Sequence, residues 1–197
     1  MIDYIKGNLA ELTPTKVVVE AYGVGYDMEI SLQTYEALQG KATATVYVHH
    51  IIRQREEIEM FYGFATRDER ELFELVISVS GIGANSARMM LSSMSCDELR
   101  EAIISENVAK IKSVKGVGVK SAQRLIVDLK DKIVKGEGSI GKELFNTSAP
   151  AEIEEATKAL TMLGFSKPNV NKAVQSILKS NPSAKVEDII KAALKML

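Results

Sequence analysis

Cysteine is almost absent from this 197-residue chain. Cys96 stands alone, which excludes an intrachain disulfide and any Cys-x-x-Cys metal site. A solitary thiol fits a reducing, cytoplasmic setting. Histidine is nearly as scarce, with His49 and His50 adjacent in a strand-like run. Neighbours on a strand point to opposite faces, so these two do not share a metal ion, and the residues call for no metal or other cofactor. No apolar run approaches the ~18 residues of a membrane helix. The segment MIDYIKGNLAEL lacks the basic stretch and apolar run of a secretory signal, so none is expected. A basic excess is missing too: 25 Lys and Arg against 26 Asp and Glu leave a net charge of −1. Any surface for a polyanion must therefore be local.

What is present suits one to three small domains, each with a modest core. The charges are unevenly spread. Residues 1–64 carry five basic and nine acidic side chains, net −4; residues 65–135 carry twelve and ten, net +2; residues 136–197 carry eight and seven, net +1. The acidic excess lies wholly in the first segment.

Hydrophobic periodicity divides the chain in the same way. In residues 1–64, VVVEA at 17–21 is β-branched, and Tyr26, Met28, Ile30 and Leu32 alternate with Asp27, Glu29 and Ser31. TVYVHHII and EIEMFYGF continue that period, and Gly23 and Gly25 mark a turn. About five strands with a short helix at 32–38 predict a small closed barrel resembling the oligonucleotide-binding (OB) fold. Residues 65–135 switch to helical spacing. Leu72, Phe73, Val76 and Ile77 form one stripe, and Ala87, Met90, Leu91 and Met94 another. Ser95 and Glu98 read as a capping box before Leu99 and Ile103. Val119, Ala122, Leu125, Ile126, Leu129 and Ile133 line a longer helix. Residues 136–150, GEGSIGKELFNTSAP, lose periodicity and read as a flexible linker. Residues 151–197 predict three short helices: Ile153, Ala156, Leu160 and Leu163 up to Gly164; Val170, Val174, Ile177 and Leu178 after Ser166 and Pro168; and Val186, Ile189, Ile190, Ala193, Leu194 and Leu197 after Asn181-Pro182. The class is α+β.

One stretch occurs twice. VSGIGANSA at 79–87 returns 35 positions later as VKGVGVKSA at 114–122. A Gly-x-Gly turn between amphipathic helices is tight, because glycine accepts positive φ and a close backbone. The helix that follows starts with free N–H groups and a positive dipole end, which together suit a phosphate. Such contacts hold the sugar-phosphate backbone and carry no sequence information. One Gly-x-Gly would suit an ordinary αα-hairpin; two in matched register resemble paired helix-hairpin-helix motifs of non-specific DNA-binding proteins. The candidate DNA-binding residues are Gly81, Gly83, Asn85 and Arg88 in the first copy and Lys115, Gly116, Gly118, Lys120 and Arg124 in the second. Asn85 stands where the second copy has Lys120, so the first copy would rely more on amides alone. GVGVKS is not a Walker loop, since Val119 separates Gly118 from Lys120 and Ser113 stands five before Gly118.

The order of parts resembles the RuvA family of Holliday-junction-binding proteins from end to end: a barrel closing on FYGF, two glycine hairpins, RLIVDLKDK at 124–132, a loose linker, and LTMLGF in a three-helix tail. The resemblance implies an OB-fold barrel and oligomerisation domain at 1–64, a tandem helix-hairpin-helix domain at 65–135, the linker at 136–150, and a UBA-like motor-binding bundle at 151–197. It implies a non-enzymatic subunit, a homotetramer with an octamer left open, that holds a four-way junction as an open cross in recombination and SOS-linked DNA repair. Its implied partners are the junction, a RuvB-type hexameric ATPase that drives branch migration, and a RuvC-type resolvase. In RQREEIEMFYGF, spacing alone reads Glu56 and Glu57 as a solvated hairpin turn. The resemblance makes them an acidic pin at the junction centre, repelling phosphates there, with Arg55 as a basic neighbour of the crossover. It likewise places Leu160, Leu163, Phe165 and Leu194 at the contact with the ATPase, although stripe residues of so small a bundle also serve as core. Two other readings use the same motifs: a helix-hairpin-helix repair enzyme, glycosylase or nuclease, with Asp128 or Lys130 as the reactive group, and a scaffold whose tail binds peptides.

Overall fold

The period of two in the first segment becomes five strands: β1 (Tyr4–Thr13), β2 (Lys16–Ala21), β3 (Val24–Ile30), β4 (Thr43–Arg53) and β5 (Ile58–Phe64). The computed structural model describes residues 2–53, 58–134, 151–181 and 184–197. The strands close into a barrel in the order β1-β2-β3-β5-β4. All neighbours are antiparallel except β3 and β5, which close the ring in parallel through Glu29 opposite Tyr62 and Ile30 opposite Gly63. Met28, Ile30, Val17, Val19 and Val46 point inward and are buried, as the alternation requires. The glycine of FYGF has a packing reason: a Cβ on Gly63 would stand 2.9 Å from Val46 Cγ1. Gly25 is not a turn residue. It pairs with Glu20 inside β3, and the chain reverses at Tyr22 and Gly23.

Helix α1 (Leu32–Leu38) follows β3 and is capped by Ser31, whose Oγ accepts from Thr34 N. The helical part holds α2 (Arg67–Ile77), α3 (Ala84–Ser93), α4 (Cys96–Ile104), α5 (Val108–Lys112) and α6 (Val119–Val134). The stripes expected for α2, α3, α4 and α6 form one core with Leu72, Phe73, Met90, Leu91, Leu99, Ile103, Leu125 and Leu129 buried. Val119 departs from its stripe: at the first turn of α6 it is 46 % exposed. The Ser95–Glu98 capping box is complete. The sequence shows no helical period over 108–112, because α5 has only five residues, of which Ile111 alone is buried.

The barrel and α2 are joined by a buried carboxylate. Glu69, in the first turn of α2, accepts hydrogen bonds from Ser31 Oγ and, at 2.7 Å, from Thr34 Oγ1. Thr34 Oγ1 also accepts from Ala65 N at 3.0 Å. Gln33 Nε2 donates to the carbonyls of Leu91 and Met94, and Leu32 N donates to Ser92 Oγ at 3.1 Å. These bonds seat α1 against both α2 and α3.

Contacts divide the chain into two compact units, Met1–Lys142 and Glu143–Leu197. The second contains α7 (Ala151–Met162), α8 (Lys167–Ser180) and α9 (Val186–Ala193) around Ala156, Leu160, Val170, Val174, Ile177, Ile189 and Ala193. A glycine stop ends α7. Gly164 has φ +97°, its N–H reaches Thr161 O at 3.1 Å, and Phe165 N–H reaches Leu160 O at 3.3 Å. That pair of bonds is a Schellman motif. Leu163, assigned to the α7 stripe, is 60 % exposed.

Burial raises the pKa of Glu69 above the ordinary 4.5, against the opposing pull of the Ser31 and Thr34 hydrogen bonds. A carboxyl whose folded pKa is raised holds its proton more tightly in the native state. Its contribution is then most favourable below the unfolded value and is lost as pH rises through the folded one. Lowered acids such as Asp3 and Glu106 have the opposite dependence. Glu69→Gln should therefore remove a component of stability that falls with rising pH. Urea denaturation of both proteins across acidic to neutral pH should give a wild-type minus variant difference that declines upward from about pH 4.5; a flat difference would refute the assignment.

Candidate nucleic-acid interface

The repeat seen in the sequence is also a repeat of backbone bonds. Val79 N–H reaches Val76 O at 3.2 Å, and Val114 N–H reaches Ile111 O at 3.3 Å. Ile82 to Val79 and Val117 to Val114 are both 3.1 Å. Ser78 Oγ donates to Leu75 O and Ser113 Oγ to Lys110 O, each at 2.6 Å. Gly81 and Gly116 have φ of +90° and +89°, a left-handed conformation that a Cβ makes costly. Ile82 and Val117, between the glycines, are buried plugs. The two turns adjoin, since a Cβ built on Gly116 would stand 4.0 Å from Ser86 Oγ.

Gly83 and Gly118 differ from the first glycine of each pair. Neither is left-handed, and a Cβ at either would meet nothing within 4 Å. The fold thus has no steric need for glycine there. Gly83 is the N-cap of α3, in extended conformation, without a capping side chain. A Ser, Asn or Asp at an N-cap would normally cover the first amides. Here the N–H groups of 83–86 and of 118–121 have no acceptor among the described residues. Each copy therefore leaves a row of donors without a protein acceptor at the positive end of a helix dipole.

The charged candidates divide between the copies. Lys115 and Lys120 are exposed and have no ion-pair partner among the described residues. Arg124 is 58 % exposed along its side chain and lies 3.9 Å from Asp128, a loose contact that water screens. Arg88 is placed differently. It turns toward the barrel, with Nε 3.3 Å from Glu29 Oε2 and Nη1 donating to Ile30 O at 3.4 Å. Asn85 is exposed, and its Oδ1 accepts from Tyr62 Oη at 3.5 Å. Sequence reasoning missed Glu29 and Tyr62 as partners of the first copy. No local signal marks them, because they lie 59 and 23 positions away in the chain from Arg88 and Asn85 respectively.

Arg55, Glu56 and Glu57 lie outside the described residues, as does the segment 136–150. In the C-terminal unit Leu163 and Leu194 are exposed and Phe165 is half-buried, whereas Leu160 is fully buried. Leu160 is core and offers no surface to a partner. Lys130 is bonded to Glu106 at 2.5 Å and Asp128 faces Arg124, both at the surface. Among the described residues, one surface cleft lies on the barrel around Tyr26, Asp27 and Phe61, and another between the barrel and α2 around Asp3, His49 and Arg70; neither includes Asp128 or Lys130. Burial pushes the Cys96 thiol up to about 12, which leaves it unreactive. His49 sits 2.9 Å from Glu74, and His50 stacks on Phe61. No helix among the described residues is long and apolar enough to cross a membrane.

The two glycine types should respond oppositely to substitution. Gly81→Ala places a Cβ on left-handed backbone and should cost about 1–2 kcal/mol. Gly83→Asp supplies a capping carboxylate in open space and should be neutral or stabilising by a few tenths of a kcal/mol. Thermal unfolding of the two variants checks both signs.

Three family models match the chain: the RuvA N terminal domain over residues 1–63, the SAM-like helix-hairpin-helix tandem over 73–131, and the RuvA C-terminal domain over 151–197. Among curated relatives, proteins named Holliday junction branch migration complex subunit RuvA are 51 % identical in Bacteroides fragilis, 51 % in Bacteroides thetaiotaomicron and 48 % in Christiangramia forsetii. Each match covers 100 % of both chains. With its closed barrel, its paired hairpins and full-length relatives at such identity, the chain belongs to the RuvA family.

Proposed function

We propose that the chain binds Holliday junctions without regard to sequence, as the DNA-binding subunit of a branch migration complex whose ATPase is a separate chain. The observation that supports this is the paired amide row behind Gly83 and Gly118, N–H groups without an acceptor among the described residues at positions where a Cβ would meet nothing within 4 Å. Phosphate is the group that such a row accepts, and backbone contact carries no base identity. Lys115, Lys120 and Arg124 add charge around the second row. The full-length relatives, each named as a subunit of the branch migration complex, support the same reading.

The finer assignments follow from the family resemblance. The chain divides into a barrel and oligomerisation domain at 1–64, a hairpin domain at 65–135, a linker at 136–150 and a motor-binding domain at 151–197. Four copies surround the junction centre in a cytoplasmic assembly that also serves a RuvC-type resolvase. Glu56 and Glu57 then bring eight carboxylates to one axis, with Arg55 beside them. Two unit charges 4 Å apart interact by about 1 kcal/mol in water and several-fold more near a protein surface, so the cluster repels a continuous duplex and parts the exchanging strands. Leu163, Phe165 and Leu194 contact the RuvB-type ATPase.

Gel shifts with four-way DNA and with duplex of equal length test the core reading. The wild type should prefer the junction, and Gly83→Asp should weaken binding at least tenfold while remaining folded. Glu56→Gln with Glu57→Gln should bind plain duplex more tightly; loss of all DNA binding would make that pair structural. Retention of full binding by Gly83→Asp would sink the amide-cradle reading. A fragment of residues 1–145 should still bind junctions but fail to stimulate a RuvB-type motor in strand-displacement assays; undiminished stimulation would refute the tail's assignment.

A further inference from the structure

Arg88 and Glu29 are held together at the corner where the barrel closes. Glu29 is one of two β3 residues paired with β5, opposite Tyr62. The Arg88 side chain is 20 % exposed and that of Glu29 28 %. Arg88 Nε and Glu29 Oε2 are buried atoms that face each other at 3.3 Å without an aligned hydrogen bond. Beside them, Tyr62 Oη reaches Asn85, one helical turn before Arg88 on α3. Farther along, Gln33 and Leu32 hold the end of the same helix through Leu91, Ser92 and Met94. The first hairpin's helix is thus tied to the barrel at its start, middle and end. Lys115, Lys120 and Arg124 of the second hairpin are exposed, and the one ion contact they make among the described residues, Arg124 with Asp128, stays within α6.

We propose that Arg88 is a positioning residue: paired with Glu29, it locks the first hairpin's amide row to the barrel, and the salt-dependent capture of DNA belongs to the second hairpin. This rests on the backbone-cradle reading above and assigns the two hairpins different work. An arginine engaged with a carboxylate in a partly buried site releases no counterions when DNA binds, because it neutralises no phosphate. An exposed lysine beside an amide row does. The first hairpin then sets register and angle relative to the junction centre, through uncharged donors. The second supplies long-range attraction.

The test is the slope of log affinity against log salt for the full-length chain on a four-way junction. Each phosphate contact by a cation contributes about 0.9 to that slope on duplex arms. Arg88→Gln should weaken binding several-fold at every salt concentration, with a slope parallel to wild type. Lys115→Gln, Lys120→Gln and Arg124→Gln combined should flatten the slope by up to about 2.7, three contacts' worth. Exchanging the pair, Glu29→Arg with Arg88→Glu, should restore affinity lost in Arg88→Gln, and it carries the test if the single variant does not fold. A slope flattened by about 0.9 in Arg88→Gln would make Arg88 a phosphate ligand and overturn the inference. So would an exchanged pair that folds but binds no better than Arg88→Gln. A flat salt response in the wild type is a distinguishable result: it overturns the cradle reading itself and this inference with it.

Discussion

Glu69 is buried where the barrel's helix α1 meets α2, and the geometry downstream depends on its being satisfied there. Burying a carboxylate without partners is costly. Here Ser31 and Thr34 donate to it, and the Ala65 amide donates in turn to Thr34. The same two residues begin α1, so one cluster caps a helix of the barrel and anchors the first helix of the hairpin domain. Once α2 is seated, its buried Leu72, Phe73 and Val76 define where α3 packs. The first amide row therefore points in a direction set by the barrel.

The duplicated hairpin separates two uses of glycine that look alike in a sequence. Gly81 and Gly116 make a turn that other residues adopt only with strain. Gly83 and Gly118 make no such turn and touch nothing. Their value lies in the absence of a side chain where helix amides would otherwise be capped. A helix start left bare in water sacrifices a little stability and keeps its donors available. That exchange suits the backbone-cradle role proposed above.

Charge is arranged around these rows rather than spread over the chain. With a net charge of −1, the protein has no general affinity for polyanions to rely on. Its exposed cations near the second hairpin are Lys115, Lys120 and Arg124, while Arg88 faces Glu29 of the barrel. In the C-terminal unit the division between core and surface is similarly sharp. Leu160 and Phe165 form the glycine stop of α7, Leu160 fully buried, and Leu163 and Leu194 remain exposed.

Much of this was legible in the one-dimensional pattern. Alternation at 26–30 identified strand β3, 3.6-residue stripes identified α2, α3, α4 and α6, and the 35-residue repeat located both hairpins. These features are local: side-chain period, capping and turn chemistry act over a few residues, so the chain encodes them where they occur. Three features were not legible for the opposite reason. The pairing of Arg88 with Glu29 spans 59 positions. Val119 and Leu163 read as core because periodicity reports a face and not what covers it at a helix end. The bonding of Glu69 to Ser31 and Thr34 spans 38 and 35 positions. The amino-acid order alone determined the strongly periodic elements, the repeat and its two glycine turns, but not the five-residue α5. Only tertiary packing decided which charges pair and which stay exposed, because burial and pairing depend on neighbours that no local pattern names.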